Sequence, residues 1–414
     1  MKNKLLNSIQ TKVIVIGAGI AGSSIAGELT RLGYEVHLYD KNEGPAQDTS
    51  AHETALAHPQ VGKKMSKLQR FTQLANRLAN QKWKSAQLLQ EAFEPLRNLT
   101  LKQWSQLPEL LDQMGITSLE VQILTDQEAL HTTNVNAPGL WFPSAAVYRL
   151  PKVCEMELAL LDTGKTHWSC QIQKIRQEND LWHIMNQDGD VIGSAPILIL
   201  AAGLQVQELM KTIDVNLPLR PVRGQITTFR IQADSPLIPH LPKKVIRGDG
   251  YCMPAIRFTH QEWHWQIGSS YDEDQRDVSP WLSSDQDNAL KGFNLIGCDH
   301  SHLDELIPDH AFVGIRSASK DRLPLIGPIP NHPGLFVSCA YGSRGVLWSA
   351  LGAPLIAAYV DAFFAGADRL RAGFLTGASI ALGSEIASAV NPGRFLRGVL
   401  ATRASNSKPI FPVS

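Results

Sequence analysis

A glycine-rich turn near the amino terminus has the residue types and the spacing that suit a dinucleotide. Residues 17–22 read Gly-Ala-Gly-Ile-Ala-Gly, which is the pattern GxGxxG. In this pattern the first glycine permits a tight turn, the second lets the backbone approach a pyrophosphate, and the third lets a helix pack closely on a strand. The turn therefore indicates a phosphate site, provided that a strand precedes it and a helix follows it.

The elements that would position this turn occur in the required order. Residues 12–16, KVIVI, form a β-branched run suited to a buried parallel strand, and residues 21–32 carry Ile25 and Leu29 at helical spacing. Residues 35–40 indicate a second strand that ends in Asp40, where a carboxylate accepts hydrogen bonds from ribose hydroxyls. An acid at this position disfavours the 2′-phosphate of NADP. A glycine-rich turn without a ligand is the alternative, but it does not explain the whole order.

Two later segments also end a buried strand in small residues. Residues 196–203 read PILILAAG, and residues 335–340 read LFVSCA before the turn YGSRG at 341–345. An apolar helix is expected from about residue 346 to 364. The start of such a helix stabilises negative charge, which a reduced flavin carries. Ordinary strand–helix connections remain the alternative interpretation of both segments.

With these segments in place, the sequence resembles the D-amino-acid-oxidase/glycine-oxidase superfamily of FAD-dependent oxidoreductases over nearly its whole length. The resemblance rests on KVIVIGAGIAGSS at the start, on AAG at 201–203, on GDGYCMPA at 248–255 and on VGIRSASKDRLPLIGPIP at 313–330. NLPLRPVRGQI at 216–226 and YGSRGVLWSALGAP at 341–354 are similar to one branch, the oxidoreductase half of the bifunctional tRNA 5-methylaminomethyl-2-thiouridine biosynthesis proteins. That branch uses FAD to remove the carboxymethyl group from 5-carboxymethylaminomethyl-uridine at the tRNA wobble position.

The resemblance implies an α/β fold, α+β overall, with a Rossmann-like FAD-binding domain and a discontinuous, mainly antiparallel β-sheet substrate domain. We expect the FAD-binding domain at residues 1–90, 145–215 and 311–400, the substrate-binding domain at 91–144 and 216–310, and a tail at 401–414. The alternation of residues 224–231 and 263–269 is typical of antiparallel strands. Because the first strand begins near residue 12, we expect no methyltransferase domain before it and a possible separate methyltransferase as partner.

The resemblance also implies which residues hold the substrate and FAD. Arg316 stands where amino-acid oxidases bind the substrate carboxylate, which a guanidinium pairs through two hydrogen bonds; an ion pair to Asp321 is the structural alternative. Tyr251 is expected to help bind that carboxylate, with a core aromatic as the alternative. His52 and Glu53 are bulkier than the small residues that the family places in their loop. The residues expected to contact FAD are Gly17, Gly19, Ile20, Ala21, Gly22, Asp40, Lys41, Thr49, Ser50, Ala202, Gly203, Gly342, Ser343, Arg344, Gly345 and Val346.

Composition excludes several other classes of function. The chain is 43% apolar and 19% charged, which is ordinary for a globular protein. Its five cysteines are scattered and form no CxxC pair, so we expect neither a disulfide framework nor a metal site. No apolar run approaches the roughly 20 residues that span a bilayer, and the polar amino terminus is no secretory signal. We therefore expect a cytoplasmic protein without a membrane segment.

Charge is unevenly distributed although the formal net charge is zero. Residues 54–90 contain seven basic residues and no acid, whereas residues 271–309 contain ten acids and two bases. Part of the basic segment has helical spacing, so its side chains would share one face and meet tRNA phosphates; a solvated helix face is the alternative. The residues expected in this RNA-binding stripe are Lys63, Lys67, Arg70, Arg77 and Lys84, together with Arg394, Arg397, Arg403 and Lys408 near the carboxyl end.

Three functions remain open on the sequence alone. The first is a flavoenzyme that oxidises the C–N bond of the modified wobble uridine in tRNA and releases the aminomethyl product and glyoxylate. The second is an oxidase or dehydrogenase of glycine, sarcosine or a D-amino acid, for which a basic surface serves no purpose. The third is a tRNA-binding scaffold, which Arg316, Tyr251 and the complete dinucleotide fingerprint disfavour. Arg223 is open between a structural role and contact with the ligand.

Overall fold

Helices and strands alternate as far as residue 158, and strands predominate from there to residue 339, in the computed structural model, which describes residues 11–62, 66–162, 164–365 and 380–396. The helices, numbered α1–α10 in chain order, are Ile20–Arg31, Lys67–Lys82, Leu101–Gln113, Asp126–Thr133, Leu150–Leu158, Gln205–Lys211, Leu282–Ile296, Gly345–Ala365, Ile380–Val390 and Gly393–Leu396. The strands, numbered β1–β20, are Lys12–Ile16, Glu35–Tyr39, Ala55–Ala57, Gln87–Pro95, Gln122–Leu124, Gly139–Tyr148, Thr166–His167, Lys174–Glu178, Leu181–Met185, Val191–Ala195, Ile197–Leu200, Leu219–Gln232, Val245–Gly248, Gly250–Cys252, Ile256–Arg257, Glu262–Gly268, Asp272–Glu273, Ile307–Ser319, Leu325–Pro328 and Leu335–Cys339.

The chain divides into two discontinuous units. Unit 1 comprises residues 1–53, 150–221 and 316–414, and unit 2 comprises residues 54–149 and 222–315. Three of these boundaries lie close to the expected domain boundaries at 145, 215 and 311. The large difference is the segment 54–90, which was expected in the FAD-binding domain and lies in unit 2. The reason is that β3 and β4 both pair with β6, which belongs to that unit.

Unit 1 is built on a sheet in the order β19-β20-β11-β1-β2-β7. β1 pairs in parallel with β2 and β11, β11 pairs in parallel with β20, and β19 is antiparallel to β20. Residues 13–15 of β1 are completely buried, as expected for a central parallel strand with helices on its faces. The carboxyl ends of β1, β2, β11 and β20 therefore lie along one edge of the sheet, where such folds bind their ligands.

Unit 2 contains a larger, mostly antiparallel sheet. The order is β17-β12-β16-β14-β13-β4-β6-β3, with β15 paired to β16, β18 to β12 and β5 to β6. β12 pairs with β16 from Ile226 opposite Gly268 to Gln232 opposite Glu262. Trp265 and Ile267 of β16 are completely buried, and Phe293 of α7 packs in the same core. The expected α/β class, with a Rossmann-like unit and a mainly antiparallel unit, is confirmed.

Helix α8 differs from the sequence expectation that no segment could cross a bilayer. Residues Gly345–Phe364 are long and apolar enough by length and composition, with a mean hydropathy of 1.5. However, 72% of this stretch is buried inside the protein. Its neighbour α1 also presents completely buried Ile25 and Leu29. These features are typical of the core helix of a globular unit, so the apolar composition needs no membrane to explain it.

Candidate functional site

Two glycines of the turn after β1 are required by the packing of the protein itself. Gly17 has a φ of +106°, and its N–H donates to Tyr39 O at 2.8 Å. A β-carbon on Gly17 would lie 2.7 Å from Ala201 O, and one on Gly22 would lie 1.8 Å from Gly17 O. Both contacts are with backbone atoms, which cannot move aside. Gly17 and Gly22 therefore bring β1, α1 and the end of β11 together.

Gly19 has a different explanation. Its φ of −72° is open to any residue, and the nearest atom to a β-carbon there is the Ser50 hydroxyl at 3.1 Å, a movable group. The packing therefore does not require glycine at this position, whereas a ligand lying against the backbone would. The same hydroxyl accepts a hydrogen bond from Ile20 N at 3.0 Å, at the start of α1. Gly19, Ile20 and Ser50 thus form an open, donor-rich end of a helix that fits a pyrophosphate.

Asp40 follows β2 and has a structural role that sequence did not indicate. Its Oδ2 accepts from Ala18 N at 2.6 Å, and its Oδ1 accepts from Asn42 N at 2.8 Å. Burial raises the pKa of Asp40 above its ordinary value, and these two backbone donors offset part of that rise. Each carboxylate oxygen keeps a second lone pair, so the same side chain has capacity for ribose hydroxyls. Lys41, by contrast, pairs on the surface with Asp48 at 3.0 Å.

The remaining residues expected at FAD lie at the same sheet edge. Thr49 and Ser50 belong to a short 3₁₀ turn, Thr49–Ala51. Gly203 and Gly342 have φ values of +57° and +54°, and a β-carbon on either would meet no atom within 4 Å. Gly345 at the start of α8 lies beside Ile20 at the start of α1, since its β-carbon would be 3.7 Å from Ile20 Cγ2. The starts of both helices therefore open onto one region, as a long dinucleotide requires.

Arg316 lies near the end of β18, on the part of that strand that belongs to unit 1. The next residue, Ser317, accepts a hydrogen bond from Gly342 N at 2.9 Å, and Ala318 forms a bridge with Tyr341. The strand that carries Arg316 is thereby tied to the turn that begins α8. The Ser317 hydroxyl is buried and has no hydrogen-bond partner among the described residues. A buried orphan hydroxyl beside this turn is a feature that the sequence analysis missed, because serine in a strand gives no signal of its own.

His52 lies in the electrostatic field of Arg316. Burial lowers the pKa of His52 to about 3, and the Arg316 guanidinium acts in the same direction. The imidazole is therefore neutral at neutral pH. His52 is bulkier than the small residues that the family places in this loop. Its position beside Arg316 makes it a neutral, polar neighbour of the expected carboxylate anchor.

The structural alternative for Arg316, an ion pair with Asp321, is disfavoured by a different pairing. Arg394 binds Asp321 through two hydrogen bonds, Nε to Oδ2 at 2.7 Å and Nη2 to Oδ1 at 3.0 Å. Ser319 also donates to Asp321 at 2.9 Å. Asp321 is thus already paired with Arg394. Arg394, which was expected to extend the basic RNA-binding surface, is committed to this pair.

Tyr251 lies on β14 in unit 2 and takes part in a small hydrogen-bonded group. Its hydroxyl donates to Thr54 O at 2.8 Å, and Thr54 Oγ1 donates to Gln266 Oε1 at 2.5 Å. Thr54 Oγ1 also lies 3.5 Å from the Tyr251 hydroxyl. The alternative of a buried core aromatic is not what the structure has, because the ring is half-buried and its hydroxyl is engaged. Thr54 and Gln266 were not singled out in the sequence.

Arg223 has a structural role, which was one of the two alternatives that the sequence left open. Its side chain is completely buried, and it donates to Asp272, Ser284 and Gln225 at 3.0, 3.1 and 2.7 Å. It also donates to two backbone carbonyls of the loop between β17 and α7, and its guanidinium lies 4.0 Å from the Trp281 ring centre. All its nitrogens are therefore occupied within unit 2. Arg223 holds an acidic loop in place and has no donor left for a ligand.

No group of three or more histidine, cysteine, aspartate or glutamate side chains suited to a metal ion occurs among the described residues. The cysteines are free; Cys154, Cys252 and Cys339 are buried, and burial raises the pKa of each to about 12. Those three are therefore inert thiols that fill the core. The chemistry available in unit 1 is that of a nucleotide cradle beside an arginine.

Comparisons with known proteins agree with this geometry. The family model described as FAD dependent oxidoreductase matches residues 12–359. A tRNA 5-methylaminomethyl-2-thiouridine biosynthesis bifunctional protein from Ralstonia nicotianae is 31% identical over 421 residues, which cover 94% of this chain and 60% of that protein. The chain thus spans about three fifths of the length of this curated relative.

Solved structures show the same fold. Glycine oxidase from Geobacillus kaustophilus has a TM-score of 0.67 at 18% identity and covers 85% of this chain and 95% of its own. L-proline dehydrogenase from P. horikoshii has a TM-score of 0.68 at 15% identity and covers 94% of this chain and 98% of its own. At these identities the likeness concerns the fold alone.

Proposed function

Since the chain belongs to the family of FAD-dependent oxidoreductases, we propose that it removes the carboxymethyl group of 5-carboxymethylaminomethyl-uridine, or its 2-thio form, at the tRNA wobble position. The observation that carries this proposal is Arg316, which is held by Ser317 against the turn that begins α8. A carboxylate is the feature that the modified base has and ordinary uridine lacks. The name of the Ralstonia nicotianae relative supports the same substrate class.

The residues of the chain act by binding and orientation. Arg316 pairs with the substrate carboxylate through its planar fork, and the neutral His52 adds no competing charge. FAD, when bound by the turn after β1, supplies the two-electron acceptor for the C–N bond of the neutral secondary amine. Water then hydrolyses the resulting imine to the aminomethyl base and glyoxylate. A separate methyltransferase would complete the modification of that product, and the reaction would take place in the cytoplasm.

The first experiment replaces Arg316. Arg316→Ala should retain FAD, because no residue of the cradle is changed, and should lower kcat/KM for tRNA carrying the modified base by about 100-fold, the effect of losing roughly 3 kcal/mol of charged hydrogen bonding. Arg316→Lys should also be poor, since a point charge cannot replace the fork. Near wild-type turnover by Arg316→Ala would make Arg316 structural.

The second experiment tests the reaction itself. Mass spectrometry of wobble nucleosides from a deletion strain should show carboxymethylaminomethyl-uridine accumulating and its methylaminomethyl product missing. Purified protein should release glyoxylate from such tRNA. Turnover of glycine, sarcosine or a D-amino acid without any action on tRNA would instead favour the small amino-acid oxidase. The scaffold alternative does not apply to a member of an oxidoreductase family.

We also propose that the exposed face of α2 contacts the RNA backbone. The helix packs through completely buried Phe71 and Ala75, and it begins with a capping box in which Ser66 and Gln69 exchange hydrogen bonds. Lys67 and Arg70 are exposed on this helix, and Lys84 is exposed just after it. These three residues form what we call the α2 basic face.

One residue of the expected stripe has a different role. Arg77 donates to Glu120 through Nε at 2.8 Å and Nη2 at 2.9 Å, and the Glu120 side chain is only 7% exposed. Although burial raises the pKa of Glu120, its hydrogen bonds with Arg77, Thr117 and Gln73 leave that pKa below its ordinary value. Arg77 therefore attaches α2 to the loop before β5. Lys63, Arg397, Arg403 and Lys408, expected in the same surface, lie outside the described residues.

A matched pair of variants tests the α2 basic face. Replacement of Lys67, Arg70 and Lys84 together by Gln should weaken tRNA binding and reduce the salt dependence of log K by about 0.7–0.9 for each lost phosphate contact. Arg77→Gln, a charge change on the same helix, should lower stability but leave that slope unchanged. Equal slopes for the triple variant and the wild type would move the RNA-binding surface elsewhere.

A further inference from the structure

The hydroxyl of Tyr251 has a single hydrogen, and the structure commits it to a backbone carbonyl. It donates to Thr54 O at 2.8 Å. A carboxylate ligand can only accept, so Tyr251 must turn this hydrogen away from Thr54 before it can bind one. The ease with which Tyr251 exchanges the Thr54 carbonyl for a carboxylate therefore depends on the other polar groups near its hydroxyl.

The Thr54 hydroxyl is a polar group close enough to compete for that oxygen. It lies 3.5 Å from the Tyr251 hydroxyl but donates its own hydrogen to Gln266 Oε1 at 2.5 Å. As long as Gln266 accepts this hydrogen, Thr54 cannot donate to Tyr251. Thr54 is also only 9% exposed, so its hydroxyl has little access to water as an alternative acceptor.

The position of Gln266 is determined by the sheet. Its backbone carbonyl accepts from Met253 N at 2.9 Å, and it lies opposite Thr228 in the ladder between β12 and β16. Tyr251 lies opposite Gly268 on the neighbouring β14. The two side chains therefore come from adjacent strands in fixed register, and Thr54 is held between them by both.

We propose that Gln266 is a positioning residue that acts through Thr54 on Tyr251. By accepting the Thr54 hydrogen, Gln266 leaves the Tyr251 hydroxyl directed at the Thr54 carbonyl, and that bond is exchanged for one to the substrate carboxylate. Without Gln266, the Thr54 hydroxyl is released to hydrogen-bond with Tyr251, 3.5 Å away, and holds the Tyr251 hydroxyl back from the carboxylate. This inference rests on the proposed function and on the expectation from the family resemblance that Tyr251 helps to bind the carboxylate of the modified base.

A double-mutant cycle on the full FAD-loaded chain tests the proposal, with tRNA carrying carboxymethylaminomethyl-uridine as substrate. Gln266→Leu should raise KM about tenfold with little change in kcat, because it perturbs binding and not the reacting bond. In a Tyr251→Phe background the same change should have less than a twofold effect, since the group through which Gln266 acts is gone. FAD content and Tm should stay near wild type.

Thr54 supplies the matched control. In a Thr54→Val background, which lacks the competing hydroxyl, Gln266→Leu should change KM less than twofold, whereas in a Thr54→Ser background, which keeps the hydroxyl, it should again raise KM about tenfold. Equal effects of Gln266→Leu with and without the Tyr251 hydroxyl would overturn the inference and assign Gln266 a general structural role. A wild-type chain that does not oxidise this tRNA would refute the proposed function instead, so the two failures are distinguishable.

Discussion

Gly22→Ala should lower the affinity of the chain for FAD as well as its stability, because the packing of the turn after β1 requires glycine at this position. The added β-carbon would lie 1.8 Å from Gly17 O and 3.3 Å from Ala201 Cβ, whereas real β-carbons approach no closer than about 3.0 Å. The turn must therefore move by more than 1 Å relative to α1. Such overpacking costs roughly 1–3 kcal/mol, which at 1.4 kcal/mol per decade corresponds to as much as a 100-fold rise in the dissociation constant of FAD.

Gly33→Ala is the control, because Gly33 ends the same helix. Its φ is +87°, and a β-carbon there would meet no atom within 4 Å. The variant should lose about 1–2 kcal/mol of stability through its left-handed backbone but keep wild-type affinity for FAD. Flavin absorbance after dialysis and fluorescence titration measure both variants. If Gly22→Ala bound FAD within threefold of wild type, the reasoning from the turn would be refuted.

Three further expectations concern composition, stability and pH. Purified protein should be yellow with about one non-covalent FAD per chain, as extraction with acid and spectroscopy would reveal, and a preparation that binds NAD but no flavin would contradict the family assignment. Arg77→Ala should lower the free energy of unfolding in urea by about 1–3 kcal/mol, because it leaves the buried Glu120 without its charged donors; an unchanged midpoint would show that the pair contributes nothing. The pKa of His52 is about 3 in the folded chain and has the ordinary value of 6.5 in the unfolded chain. Between these two values the unfolded chain binds a proton at His52 that the folded chain does not bind. His52 therefore does not affect the free energy of unfolding above pH 6.5 and lowers it as the pH falls toward 3, by about 2 kcal/mol at pH 5. His52→Asn should remove that part of the pH dependence.

The turn and its flanking elements could be predicted because their signals are local. A buried strand, three glycines at set spacing and a helix lie within about twenty residues, and the observed β1 and α1 begin and end within one residue of the expected positions. The strands before residues 201 and 341 carried equally local apolar runs. Family resemblance added what the pattern alone could not, namely that the dinucleotide is FAD.

Sequence alone therefore determined the turn after β1 and the strand and helix beside it, since hydrophobic period and backbone freedom are properties of neighbouring residues. Only the tertiary structure decided which basic side chains form ion pairs within the protein. Arg77 pairs with Glu120 from 43 positions away and Arg394 with Asp321 from 73, so two arginines expected to meet RNA are occupied by acids. The tertiary structure likewise decided the unit to which residues 54–90 belong, because their strands pair with β6. Partners so distant along the chain leave no periodic trace in the sequence, because their contact exists only once the chain has folded.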